Sequence, residues 1–216
     1  LSKTTRILER EVLVAVGSKI AGLGFSAPAK GQTYYRWFEG GRMCAHLSFI
    51  KHESDVDVTV DVAVRFEAVE EVVHRWNRLL TKAEKAKTAT LGCELGNLAR
   101  GVPDRVQICN NGQVMPAAKE IVARLDTVGM PYLRTYSRLD AAFELLARDD
   151  RDVWLHCPVH SERAKRACAC LVAMGRFGEI ELFAAKKALF LNSVGDPGAG
   201  GFARFLDELR SAFPLA

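Results

Sequence analysis

The chain lacks any apolar run near the roughly 20 residues a membrane-spanning helix needs, and neither sign of charge dominates it. Its 216 residues hold 30 Lys and Arg against 26 Asp and Glu, a net charge of +4. The balance is even along the chain: residues 1–112 carry 16 basic and 13 acidic groups, residues 113–216 carry 14 and 13. A nucleic-acid footprint would need a basic stripe and a recognisable module. The nearest cluster, Lys82, Lys85 and Lys87, follows an expected helix, where cations complement the dipole. Neither a nucleic acid nor a membrane is expected as a partner.

Catalytic signatures are also scarce. No Gly-x-Ser-x-Gly elbow and no His-Glu-x-x-His pair occurs. The run Gly195 to Gly201 lacks the Lys-Ser/Thr ending of a phosphate loop, and Pro197 removes an amide donor, so it reads as a flexible connector. The five histidines are scattered and the six cysteines irregularly spaced, unlike a stapled secreted scaffold. Reduced, core-packed thiols suit a cytoplasmic protein. The chain begins at Leu1 rather than Met, which leaves a trimmed signal peptide and a periplasmic location open.

What the chain does have is residues 55–66, twelve residues of strict alternation. Val56, Val58, Val60, Val62, Val64 and Phe66 fall on one side, and Asp55, Asp57, Thr59, Asp61, Ala63 and Arg65 on the other. Strand side chains alternate between faces, so this is a half-buried β-strand with an acidic outer row. Upstream, Leu8, Val12, Val16, Ile20 and Leu23 recur at helical spacing, with Thr4 or Thr5 as the cap and Gly24 as the stop. Thr33–Phe38 and Met43–Ile50 flank Glu39-Gly40-Gly41, a tight hairpin. The aromatics Tyr34 to Phe38 are expected to fill the core on alternate positions.

Glu67–Leu80 reads as one amphipathic helix with Val69, Val72, Val73, Trp76, Leu79 and Leu80 as its stripe. Thr88–Leu95 and Val106–Cys109 are weaker strands. Beyond Gly112 the pattern turns helical: a helix from Pro116 to Gly129, another opening at Pro131, one around Cys168, one around Ala184, and a last one from Phe202 to Phe213. The order predicts an α+β fold: an N-terminal helix, an antiparallel meander of four to five strands packed by a helix, then helices. The expected division is 1–112 and 113–216.

The constellation most like a metal site is His156-Cys157-Pro158-Val159-His160 with Cys168 and Cys170. Pro158 interrupts any helix that would align the histidines, and Cys168 and Cys170 diverge by roughly 200° around a helix. No metal and no cofactor is expected. Asp55 and Asp57, about 7 Å apart on one face, with Asp61 and Glu53, suit an electrostatic surface for a basic partner.

The segments Gly24-Phe25, Lys30-Gly31 and Tyr34-Tyr35-Arg36, and later Gly129-Met-Pro-Tyr-Leu, Tyr136-Ser and Leu139-Asp140, resemble a bacterial family of α+β domains of unknown function. The likeness covers residues 5–150. It implies no catalytic residues. By analogy with proteins encoded beside bacterial toxins, it implies an immunity role.

The leading expectation is therefore a non-enzymatic interaction protein that binds and neutralises a toxin, with Glu53, Asp55, Asp57 and Asp61 in the partner surface and no catalytic residue. The alternative is a small hydrolase or transferase using Cys44 with His46, or Cys157 with His156. A further alternative is a helical scaffold built on residues 116–147 and 161–191, although no internal repeat is present.

Overall fold

The computed structural model describes residues 3–26 and 31–213; Lys30 of the resemblance motif lies outside them. The fold is α+β, with an N-terminal helix, an antiparallel sheet of five strands and then helices, as the patterning predicts. By contacts the chain forms two compact units, residues 1–64 with 92–135, and residues 65–91 with 136–216. The expected division at residue 112 falls inside the first unit. The chain passes between units after Val64, Leu91 and Thr135.

In unit 1, α1 (Lys3–Ile20) ends in a 3-10 turn at Ala21–Leu23, stopped by Gly24 at φ 81°. Thr4 and Thr5 lie inside this helix rather than capping it. The left-handed φ favours glycine, and the position backs onto the Arg36 side chain, where an added Cβ would sit 3.4 Å from Nε. Strands β1 (Thr33–Phe38) and β2 (Gly41–Lys51) pair antiparallel across the two-residue turn Glu39-Gly40. β3 (Val56–Phe66) follows, then β4 (Leu91–Glu94), in spatial order β1-β2-β3-β4. β5 (Val106–Ile108) pairs with the start of β3, Val56 opposite Ile108. One sheet face carries Met43, Ala45, Leu47 and the valines of β3, all buried. Each fully buried valine contributes roughly 1.5–3 kcal/mol.

Helix α1 packs on α5 (Val114–Arg124). The expected stop at Gly129 does not occur. The helix continues through a π-helical turn, Leu125–Gly129, into α6 (Met130–Tyr136). There the Met130 N–H reaches back five residues to the Leu125 carbonyl. The wide turn accommodates Pro131, which has no N–H to give to the ladder. Gly129 is needed for close approach instead: a Cβ there would lie 2.7 Å from Leu125 and 3.2 Å from Val62.

In unit 2, α2 spans only Glu67–His74. The expected helix to Leu80 is cut short because its end is tied off: Lys85 Nζ donates to the His74 carbonyl (3.0 Å), and Asn77 Oδ1 accepts from the backbone N–H of Leu79 (2.9 Å) and Leu80. Such local side-chain bonds compete with helix propagation. Leu79 is left 93% exposed. The unit is completed by α3 (Lys82–Lys85), α7 (Leu139–Leu146), α8 (His160–Ala173), α9 (Ile180–Ser193) and α10 (Ala199–Ala212). A short helix, α4 (Leu95–Arg100), belongs to unit 1. The glycine-rich run is a packed joint rather than a loose connector. Asp196 Oδ1 accepts from the Gly198 N–H at 2.7 Å, and a Cβ on Gly198 would collide with Ser161.

Candidate protein interface

The second face of the unit 1 sheet holds the side chains that sequence patterning placed outward. The hairpin register fixes them: Thr33 pairs with His46, Tyr35 with Cys44 and Trp37 with Arg42. Because neighbours across a pair share a face, one line of side chains runs along β1 and β2. Trp37 is 63% exposed, in keeping with the expectation that only alternate aromatics of β1 fill the core. That expectation holds for Tyr34, which is buried and donates its hydroxyl to the Leu13 carbonyl at 2.7 Å. Trp37 differs because odd positions of β1 point away from α1. The sequence signal was the two-residue turn, which sets the parity once Gly40 is recognised as its positive-φ residue (φ 78°).

The Arg42 guanidinium carbon lies 5.2 Å from the Tyr35 ring centroid and 5.5 Å from that of Trp37, and the two rings are 6.5 Å apart. This is cation–π geometry for both rings. The arrangement is an aromatic pair joined by one cation, a chemistry that recognises another surface by area and charge together.

The acidic row lies on this same face, but it is not an open patch. Asp55 accepts a hydrogen bond from Gln107 Nε2. Asp57 lies 3.2 Å from His52 Nε2 and 3.6 Å from Arg105. Burial pushes the Asp61 carboxyl above its ordinary value, opposed by the His46 charge and a Ser48 hydrogen bond and reinforced by Glu94. Glu53 stands exposed in the β2–β3 turn. The row is therefore largely compensated within unit 1, and its outward field is weaker than the sequence suggests.

Cys44 and His46 lie two residues apart on the same face of β2. His46 Nδ1 and Thr33 Oγ1 share a hydrogen bond of 2.8 Å, a partner that sequence spacing did not indicate. Cys157 is buried, and burial pushes its thiol upward, the reverse of an activated nucleophile. Burial likewise lowers His156. Cys168 and Cys170 are fully buried on α8, and His160 Nδ1 pairs with Arg163 at 2.7 Å. Among the described residues, no three His, Cys, Asp or Glu side chains converge as metal ligands, and no helix is long and apolar enough to cross a membrane. In comparison with known proteins, the chain matches no family model, no curated protein and no solved structure.

Proposed function

We propose that the chain is a protein-binding protein whose working surface is the second face of the unit 1 sheet, with a bacterial toxin as the partner class. The observation that carries this reading is the exposed Trp37 ring, set beside Tyr35 and bridged by Arg42. Trp, Tyr and Arg are the residue types that most often dominate binding energy at interfaces. Asp55, Asp57 and Asp61 share that face, and Glu53 lies in the adjoining turn; these acids supply the polar rim and a modest attraction for basic groups. The likeness to a bacterial family of domains of unknown function, carried in part by Tyr34-Tyr35-Arg36 on this hairpin, supports the toxin as partner by analogy with proteins encoded beside bacterial toxins.

The test is co-expression with the product of the neighbouring gene. The wild-type chain is expected to co-purify with it and to protect cells from it. Trp37→Ala with Arg42→Ala is expected to lose both properties while keeping the wild-type melting profile. No complex and no protection from the folded wild-type chain would remove the reading.

A further inference from the structure

We propose that unit 2 carries a second binding site, a cleft for a small organic anion with a flat apolar body. The cleft has a volume of about 320 Å³, at the lower end of the roughly 300–1,000 Å³ typical of ligand pockets. One wall is α10, where Arg204, Phe205 and Glu208 fall at helical spacing on a single side. Facing it are Trp76 and Arg78, on the segment that follows the early end of α2. Trp76 and Phe205 meet edge-on, with ring centroids 6.1 Å apart and planes at 71°, and make an apolar corner. The Asn77 side chain fixes this segment by accepting from two backbone N–H groups, so the corner is built into the fold rather than formed on demand.

Charge decides what fits. Glu162, on the α8 wall, is already neutralised by Lys165 at 2.8 Å and Arg166 at 3.2 Å. Arg78 and Arg204 line the cleft without a hydrogen bond or ion pair to any described residue, although Glu208 stands one helical turn from Arg204. The three cations and two carboxylates of the lining leave it net positive. A guanidinium offers a planar fork that matches a carboxylate or phosphate. Two such forks beside an aromatic corner suit an acid group attached to a ring. This site is independent of the sheet face of unit 1 and requires nothing of it.

The experiment is titration of the full chain with phenylacetate, phenyl phosphate, inorganic phosphate and the neutral phenylacetamide. Heat and tryptophan fluorescence are the readouts. Saturable binding of at least one aromatic anion is expected, about tenfold tighter than phenylacetamide and than inorganic phosphate. The fluorescence change should vanish in Trp76→Phe. The double variant Arg78→Ala, Arg204→Ala should weaken binding about tenfold or more, with melting unchanged because both side chains are exposed. Lys186→Ala, exposed on α9, should bind as wild type. The proposal fails if neither aromatic anion saturates, if the amide or inorganic phosphate binds equally well, or if the double variant keeps wild-type affinity.

Discussion

The two units treat charge in opposite ways. In unit 1 no charged side chain is buried among the described residues, and the acids and bases stay on faces or rims. In unit 2, Arg65, Glu70, Arg163, Arg166 and Lys187 are all buried. Each has specific partners. Glu70 accepts from Thr88 at 2.7 Å and from Arg166 Nε at 3.1 Å, and lies 3.2 Å from His74. Arg163 donates to the Cys157 carbonyl, and Lys187 to Asp149. Buried charges contribute little net stability when paired, but they are costly once one partner is removed. Unit 1 therefore rests on apolar packing that tolerates surface change. Unit 2 rests on polar geometry that does not tolerate single losses.

The sharpest way to break this contrast is Arg166→Met. It leaves Glu70 buried without its main cation and is expected to cost unit 2 about 3–5 kcal/mol. Hydrogen exchange at α2 and α8 amides would report it. Protection within about 1 kcal/mol of wild type would mean that the network is not structural.

Acid gives the next effect. Burial alone would raise the Glu70 carboxyl. Hydrogen bonds from His74 and Thr88, with the Arg166 and His74 charges, outweigh it and hold the group at about 2. The folded value lies below the unfolded one, so this stabilisation is complete above about pH 4.5 and is lost as pH falls towards 2. It amounts to about 3 kcal/mol. Glu70→Gln should flatten the acid limb of unit 2's stability curve; an unchanged acid limb would contradict the assignment.

The smallest expected effect has the opposite sign and belongs to unit 1. Asp61 binds its proton more tightly folded than unfolded, so ionising it as pH rises costs stability. Asp61→Asn should be neutral or stabilising at pH 7, within about 1 kcal/mol, by thermal melting. A clear loss would show that the carboxylate is held by partners stronger than burial.

The same contrast explains what could be read from the sequence. The β3 strand was legible because period-two alternation of Val with polar residues has one structural solution. The five-strand sheet and the helices from His160 onward followed from similar patterns. The end of α2 was not legible, since Trp76, Leu79 and Leu80 keep helical spacing while Asn77 and Lys85 tie off the backbone. Nor was the continuity of α5 into α6, because Gly129 read as a stop and Pro131 as the opening of a second helix, and only the π turn reconciles them. Arg163 and Arg166 look like the solvent side of α8, and their burial depends on partners up to 96 residues away. At the candidate interface, the acidic row was placed on the correct face by alternation. Its engagement by Gln107, His52 and Arg105 was hidden, since β5 and the β2–β3 turn meet it only in space. Which of the β1 aromatics face inward was not legible, because aromatic content says nothing about parity.

The central claim is that recognition resides in the Trp37, Tyr35 and Arg42 cluster. The most direct measurement is the dissociation constant of the complex with the neighbouring gene product, for wild type, Trp37→Ala and Leu189→Ala. Leu189 is an exposed residue of α9 in unit 2 and serves as the surface control. The account predicts that Trp37→Ala weakens binding at least about thirtyfold, roughly 2 kcal/mol, and that Leu189→Ala leaves it unchanged. Equal affinity for Trp37→Ala and wild type, or a loss confined to Leu189→Ala, would contradict it and place the binding surface elsewhere.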